Sequence, residues 1–278
     1  MSITETLLIP AASENGYAIS VTTDPGDIEA AQRLRYQSFA DEMGAFLPDA
    51  VLGEHTGELI DVDQFDPFCE HLVARSARTG EVVGCYRALF PDGAKAVGTT
   101  FTKIEFEFSE ALEALRPSLV ELGRAAVHPA HRNGAVMGLL WAGMLQYQER
   151  TGHEHAIGCA SVQMEAGGPR GSLVRKVRDF ANKRSIAPPA YRVTPKTPVI
   201  VEGRTLDDIA APQGRVKIPP MLQGYLRIGA VVCGPPAYDP DFDVADFAVL
   251  LSRPQLNLRY VQRLTEALVA RQVSVTAP

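Results

Sequence analysis

A carboxylate and an arginine stand three residues apart in the run Glu121-Leu122-Gly123-Arg124, inside the stretch 118–127. Its apolar pattern predicts a β-strand. Side chains alternate along a regular strand, so residues three apart lie on opposite faces. A bulge at Gly123 would bring both onto one face. A glutamate held there could accept a proton from a reacting group. The alternative is a glutamate at a strand end and an arginine in a salt bridge.

A short loop follows this strand and precedes an amphipathic helix predicted over 135–150. The loop residues at this junction are His131-Arg132-Asn133-Gly134-Ala135. The N–H groups at the start of a helix have no partner inside the helix, and the helix dipole favours an anion there, most often a phosphate. The junction therefore predicts a phosphate-binding loop, although such junctions are also common without a ligand.

Further elements must position this strand and loop. Asp24 and Pro25 suit the cap and first position of a helix over 25–44. The strand–loop–helix–strand order around 118–160 indicates parallel pairing in an otherwise mixed sheet. The other predicted elements are strands at 71–76, 81–90, 155–160, 224–233 and 246–251, helices at 109–115 and 254–273, and a basic helix after the Gly-rich turn at 167–171.

Composition excludes several classes of protein. The 278 residues are 46% hydrophobic and 22% charged, a balance typical of a globular protein. No apolar run approaches the roughly 18 residues of a membrane span, and no basic start precedes the first apolar stretch, so we expect no secretory signal. Widely spaced cysteines without a CxxC pair indicate reduced thiols in a cytoplasmic protein. These are Cys69, Cys85, Cys159 and Cys233.

The net charge of −6 conceals two poles. Residues 41–70 contain nine acidic residues and no Lys or Arg, whereas 170–196 contain eight basic residues against one acid, Asp179. Two solvated surfaces would explain this pattern. The functional interpretation is an acidic pole for a cationic substrate and a basic pole for a phosphorylated or acidic partner. An acidic chain without interleaved basic and aromatic residues argues against nucleic-acid binding.

Several motifs in order resemble GNAT-type N-acyltransferases and, more narrowly, the ornithine Nα-acyltransferases (hemolysin-like acyltransferases) that make lyso-ornithine lipids. The resemblance covers roughly residues 21–260. The motifs are Glu121 to Pro129, Arg132-Asn133-Gly134, Leu139-Leu140-Trp141, Arg35 to Phe39, Asp61 to Asp66, Gly84-Cys85-Tyr86-Arg87, Gly224-Tyr225-Leu226-Arg227 and Cys233 to Pro240.

This resemblance implies a fold and an activity. The fold is a GNAT-like α/β domain over 20–252, with a mixed central sheet flanked by helices, and a C-terminal helical extension over 253–278. The activity is transfer of a (3-hydroxy)acyl group from acyl carrier protein to the α-amine of ornithine or a similar amino acid, the first step of ornithine-lipid-type synthesis. No permanently bound cofactor is implied, because the acyl-phosphopantetheine of the carrier, or acyl-CoA, is a co-substrate.

A more distant similarity to acyl-homoserine-lactone synthases implies the roles of single residues. By that similarity, ionic and aromatic groups surround the amine, and Glu121 and Arg124 are the catalytic pair. The amine-binding residues so implied are Arg35, Phe39, Asp63, Asp66 and Arg87. Asp63 and Asp66 would attract the second positive charge of a diamino acid.

The donor site departs from the ordinary GNAT pattern. Counting from Arg132, the two small positions that bind the CoA pyrophosphate fall on Ala135 and Met137. A carrier-protein donor fits better, since its phosphopantetheine has one phosphate near the loop. The donor-binding prediction therefore comprises His131, Arg132, Asn133, Gly134 and Ala135, and the basic segment 170–184 suits docking of an acidic carrier.

Two other functions stay open at this point. One is acetyl-CoA-dependent acetylation of a small amine or protein, and the other is a non-catalytic acyl-binding or membrane-associated protein. We expect no metal, because His153-Glu154-His155 is more typical of a surface, and the run after Asp239 lacks the glycine and glutamate of a calcium loop. The expected location is the cytoplasm, with peripheral contact at the inner face of the membrane left open.

Overall fold

The structure is a computed structural model that describes residues 5–166, 168–212 and 217–274. Its strands are β1 (Glu5–Ile9), β2 (Tyr17–Thr22), β3 (Val51–Leu52), β4 (Leu59–Ile60), β5 (Glu70–Ser76), β6 (Val82–Leu89), β7 (Phe106–Phe108), β8 (Leu119–Val127), β9 (His155–Gln163), β10 (Val193–Pro195), β11 (Ile200–Val201), β12 (Arg204–Thr205), β13 (Val231–Val232), β14 (Ala237–Asp239) and β15 (Val244–Ser252).

Its helices are α1 (Pro25–Tyr36), α2 (Pro91–Val97), α3 (Phe101–Glu105), α4 (Glu110–Glu113), α5 (Ala135–Thr151), α6 (Ser172–Arg184), α7 (Pro220–Ile228) and α8 (Leu258–Ser274). A π-helical turn, Gln37–Asp41, continues α1. Residues 1–4, on which the expectation of no secretory signal partly rests, Gly167 of the predicted Gly-rich turn, and residues 275–278 of the predicted extension lie outside the described residues.

The chain forms two compact units, and the first contains residues 5–97, 122–153 and 258–274. Strands β1, β2, β5 and β6 pair antiparallel in that order. Helix α1 packs on Val73 and Cys85. A Cβ at the adjacent Gly84 would meet Val136 of α5 at 2.5 Å. Because successive side chains of a strand point to opposite faces, α1 and α5 cover opposite faces of this sheet.

The second unit contains residues 98–121, 154–212 and 217–257. Here β8 pairs parallel with β9 over Leu119–Glu121, and β15 pairs antiparallel with the whole of β9. One apolar cluster joins α6 to β9 and β15, with Val174, Val177 and Phe247 buried at its centre. The mixed sheet, its parallel pair and the flanking helices confirm the predicted α/β class.

The prediction of a strand over 224–233 is wrong for its first part. Residues 220–228 form α7, and only Val231–Val232 form a strand. Pro220 stands at the first helical position, and Gly229 ends the helix with a φ of 110°. Leu222 and Leu226, four residues apart, pack into the same cluster, so the apolar spacing was that of a helix.

The C-terminal helix α8 packs on α5 within the first unit. Leu268 is 4% exposed, and a Cβ at Gly138 would meet its side chain at 2.6 Å. Strand β1, which precedes residue 20, is paired with β2 in the same unit. The domain bounds of 20–252 and 253–278 stay a prediction. Among the described helices, none has the length and apolar character needed to cross a membrane.

Candidate active site

Glu121 is the last residue of β8 that pairs with β9. It is 8% exposed, and its two carboxylate oxygens accept hydrogen bonds from the backbone N–H groups of Phe101 and Thr102, at 2.7 and 2.6 Å. These are the first residues of α3, so the carboxylate takes two N–H groups that lack partners inside the helix. The orientation of the Glu121 carboxylate is therefore tied to α3.

The backbone of β8 becomes irregular three residues later. Arg124 has a φ of 52°, in the left-handed region that residues other than glycine rarely adopt. The irregularity predicted at Gly123 therefore lies one residue further along the strand. A Cβ at Gly123 would meet no heavy atom within 4 Å. An unfavourable backbone at a side chain that carries an ionic contact is typical of a functional position.

Arg35 is the most buried member of an ionic network in the first unit. Its guanidinium is 1% exposed and donates to Asp61 at 2.7 Å and to both oxygens of Asp66 at 2.7 and 3.0 Å. Burial lowers the pKa of Arg35, but the two aspartates more than offset this effect, so its pKa lies above the ordinary value. Helix α1 is thereby joined to the segment that follows β4.

Arg87 of β6 extends the network. It donates to Asp63 at 2.6 Å and to Asp66 at 2.9 Å. Burial raises the pKa of both aspartates, yet the neighbouring guanidinium groups outweigh it and hold each pKa below its usual range, with Arg87 acting first on Asp63 and Arg35 first on Asp66. Both carboxylates are therefore ionised at neutral pH, and each is compensated by arginine.

Arg124 closes the network at its more exposed side. It lies 3.5 Å from Asp61 and 3.3 Å from Asp63, and its side chain is 17% exposed. These ion pairs are longer than those of Arg35 and Arg87. Burial lowers the pKa of Arg124, and the two other arginines add to that effect. The guanidinium of Arg124 also lies over the ring of Phe39, 6.0 Å from its centroid.

The structure thus brings together the predicted Arg35, Phe39, Asp63, Asp66 and Arg87 with Arg124. Sequence reasoning did not assign Asp61, the partner of two of the arginines. Its position in the motif Asp61 to Asp66, two residues before Asp63 and directly after a short apolar strand, was the available signal. Three arginines face three aspartates, so the named network is electrically neutral.

The predicted donor loop is organised by its own contacts. Arg132 donates to both oxygens of Glu42 at 2.6 and 2.8 Å and to the carbonyl oxygen of Val127 at 2.8 Å. Asn133 accepts the backbone N–H of Ala135 at 2.9 Å, and Gly134 has a φ of 85°. Arg132 therefore fixes the loop, and the backbone N–H groups of the first turn of α5 are the groups placed to meet a phosphate.

His131 lies beside an aromatic cluster rather than alone in the loop. Its Nδ1 is 2.9 Å from the hydroxyl of Tyr17, and its ring meets the ring of His128 edge-on. Burial lowers the pKa of His131, and the neighbouring His128 adds to this effect. The imidazole is therefore mainly neutral at pH 7.

Most cations of the predicted docking segment are held inside the second unit. Arg170 pairs with Asp243, Arg175 donates to the carbonyl oxygens of Leu206, Asp207 and Ile209, and Arg178 pairs with Asp179 and Asp207. Lys183 and Arg184, at the end of α6, are exposed. These two residues are the part of the segment that offers positive charge to a partner.

Comparison with known proteins shows the family to which the chain belongs. Residues 34–142 match the family model of the acetyltransferase (GNAT) domain. An L-ornithine N(alpha)-acyltransferase of Rhodobacter capsulatus is 30% identical over 269 residues, which cover 94% of this chain and 99% of that protein. A protein of the same name from Rhizobium meliloti is 29% identical and covers 84% of this chain and 79% of its own length.

A solved CoA-dependent acyl-homoserine lactone synthase, BjaI, has a TM-score of 0.48 at 15% identity, covering 89% of this chain and 91% of its own. The α/β fold and the family model define an acyltransferase of the GNAT class, which forms an amide from an acyl thioester and an amine. Within that class, the chain belongs to the family of L-ornithine Nα-acyltransferases.

Proposed function

We propose that the chain transfers an acyl group from the phosphopantetheine thioester of acyl carrier protein to the α-amine of L-ornithine. The name of the relatives supports ornithine as the acceptor. The observation that carries the proposal is the neutral ionic network in which Arg124 is held by the longest ion pairs, at 3.5 Å to Asp61 and 3.3 Å to Asp63. The product, an N-acylated ornithine, would be the first intermediate of an ornithine-lipid-type synthesis.

Binding of the acceptor would replace the ion pair between Asp63 and Arg124 with two ion pairs to the acceptor. Asp63 Oδ2 accepts no hydrogen bond among the described residues and faces Arg124 at 3.3 Å. An amino acid with a second amine can pair its side-chain ammonium with Asp63 and its α-carboxylate with Arg124. The total charge of the site is unchanged by this exchange, so neither charge is left buried alone. In this arrangement the α-amine of the acceptor pairs with no aspartate of the network. It can therefore lose its proton more easily than the side-chain ammonium, which Asp63 holds.

Glu121 is the proposed base. A free α-amine has a reference pKa of about 7.7–8.0, so it is largely protonated at neutral pH and must lose a proton before it attacks. Glu121 stands three residues before Arg124 on β8 and would take that proton directly or through a water. The amine nitrogen bonds to the thioester carbon, the carbon–sulfur bond breaks, and the thiolate takes up a proton. A backbone N–H of the irregular part of β8 would hold the developing oxyanion.

The donor site would be the first turn of α5. His131, Arg132, Asn133, Gly134 and Ala135 form the loop, with Arg132 fixing it and backbone N–H groups meeting one phosphate of the pantetheine. A thioester donor follows from the GNAT class. We assign the carrier protein rather than CoA because Met137 replaces a small residue and because Lys183 and Arg184 offer positive charge to an acidic carrier. We place the reaction in the cytoplasm, with the acylated product leaving toward the inner face of the membrane.

The test compares acceptors that differ by one charged group. Purified protein is supplied with acyl carrier protein thioesters or acyl-CoA, and with ornithine or 2-aminopentanoic acid, which lacks the second amine. We expect amide formation on ornithine with the carrier thioester. Asp63→Asn should lower kcat/KM for ornithine about tenfold or more and leave 2-aminopentanoic acid nearly unaffected, because only ornithine loses an ion pair.

Asp49→Asn is the matched control, since this exposed aspartate lies in the same acidic segment outside the network. Equal losses for both acceptors in Asp63→Asn would contradict the role of this carboxylate. Release of CoA from acetyl-CoA with any amine, without turnover of the carrier thioester, would show an ordinary acetyltransferase. No amide from any donor would favour an acyl-binding protein without catalysis.

A further inference from the structure

A second pair of carboxyl groups lies in the unit that contains Glu121. Glu105, at the end of α3, and Asp246 of β15 have carboxylate oxygens within 4.8 Å of each other and of the Cys159 sulfur. Asp246 is 2% exposed and accepts a hydrogen bond from Ser161 at 2.6 Å. Two carboxylates this close, one of them buried, cannot both be ionised at low cost, so this geometry favours the sharing of one proton.

The groups around Glu105 come from several strands and add negative charge. Asp246 on β15 and Asp239 on β14 act on it electrostatically, and Cys159 on β9 donates from its sulfur to Glu105 at 3.3 Å. Glu105 forms no ion pair with Lys or Arg among the residues that the structure describes. Lys196 directs its ammonium to the carbonyl oxygen of Lys103. Burial is the main cause that raises the pKa of Glu105 to about 9, and the negative charge of Asp246 is the next largest.

Both ends of α3 are therefore held. At its start, Phe101 and Thr102 donate to Glu121. At its end, Glu105 meets Asp246 and Cys159, and the backbone N–H of Lys196 donates to the Glu105 carbonyl oxygen at 2.8 Å. The Cys159 sulfur is also within 3.9 Å of the Thr102 hydroxyl. A displacement of Glu105 would move the N–H groups that orient Glu121.

We propose that Glu105 is a positioning residue for Glu121: in its neutral form it shares a proton with Asp246 and holds α3 where Phe101 and Thr102 donate to the base. The proposal rests on the proposed function for the role of Glu121. When the shared proton is lost, two adjacent negative charges repel each other, α3 is displaced, and Glu121 loses its donors. Activity then falls although Glu121 itself has not changed its charge.

The activity test uses Glu105→Gln, which keeps a neutral hydrogen-bonding group of the same shape. We expect Glu105→Gln to retain the wild-type kcat at neutral pH within about twofold and to remove the loss of kcat above a pH of about 9. Glu105→Ala should lower kcat about 10- to 100-fold with little change in KM for ornithine, because a base is misplaced rather than a binding group removed. Glu107→Gln, an exposed glutamate two residues away, is the control.

An infrared measurement tests the shared proton independently of the proposed acyltransferase function. The infrared spectrum of the wild type at neutral pH should show the carbonyl band of a protonated carboxylic acid, and that band should be absent from Glu105→Gln. This readout needs no turnover, so it stands if the acceptor or donor is wrong. An unchanged band, or a Glu105→Gln variant as inactive as Glu105→Ala at neutral pH, would overturn the proposal. A divalent cation bound one-to-one in the wild type and lost in Glu105→Gln would overturn it too, since the cation would replace the proton.

Discussion

The guanidinium of Arg35 donates two hydrogen bonds to the carboxylate of Asp66, at 2.7 and 3.0 Å. Both side chains are buried, at 1% and 7% exposure. A paired geometry of this kind fixes orientation as well as distance. The proposed amino-acid site therefore includes a rigidly oriented buried pair, whereas Arg124 is held by longer ion pairs to Asp61 and Asp63.

Replacement of Arg35 by methionine should destabilise the protein by about 3–5 kcal/mol, because Asp61 and Asp66 each lose one of their two arginine partners and the buried network is left with a net negative charge. Chemical denaturation followed by circular dichroism gives the free energy of unfolding. Arg33→Met is the control, since Arg33 pairs with Glu58 at the surface, where a loss of at most about 1 kcal/mol is expected. Equal losses in the two variants would contradict the central position of Arg35.

The stability of the wild type should depend on pH through Glu105. Its pKa is about 9 in the folded chain and 4.5 as a reference, so between these values the folded chain holds a proton that the unfolded chain has released. The free energy of unfolding contributed by this group therefore decreases as pH rises, by about 1.4 kcal/mol per pH unit. The difference between wild type and Glu105→Gln, measured by denaturation from pH 5 to 9, isolates this slope. A difference independent of pH would show that Glu105 ionises normally.

Reversal of charge at the end of α6 should separate the two donors. The double variant Lys183→Glu and Arg184→Glu should raise KM for a carrier-protein thioester about tenfold or more and leave KM for acyl-CoA nearly constant, because only the carrier is a large acidic partner. Arg204→Glu, at an exposed arginine of β12, is the control. A similar rise of KM in this control would point to general charge repulsion instead of docking.

Substitution of two glycines by alanine should affect different properties of the protein, stability at Gly84 and activity at Gly123. At Gly84 a Cβ would meet Val136 at 2.5 Å and Ala74 at 3.3 Å, so Gly84→Ala should cost about 1–3 kcal/mol of stability. At Gly123 a Cβ meets no heavy atom within 4 Å, so Gly123→Ala should keep the stability within about 0.5 kcal/mol. We expect Gly123→Ala to lose activity if the open space beside β8 receives substrate. Melting curves and initial rates of both variants decide this.

Local patterns in the sequence account for much of the site. The spacing of Glu121 and Arg124, the cap at Asp24 and the strand–loop–helix order each depend on neighbouring residues, and the structure contains them. The pairing of Arg132 with Glu42 joins residues 90 positions apart, and no local pattern indicates it. The same holds for Glu105 and Asp246, which meet only when α3 lies on β9 and β15.

The error at α7 has a different origin. Its apolar residues suit either a strand or a helix over so short a run, and Gly224 is buried inside the helix. The sequence does not single out Asp61, because its segment also contains many exposed carboxylates. Its burial to 2% depends on Arg35, which lies on another element.

The burial of the arginine–aspartate network should determine how binding of each substrate depends on ionic strength. Dissolved ions screen charges that face water far more than charges buried in protein. Added potassium chloride should therefore weaken the encounter with an acidic donor at Lys183 and Arg184, while the hold on the amino acid changes little. A rate that falls with salt at saturating ornithine, and recovers with more donor, would reflect the different exposure of these two groups of charges to water.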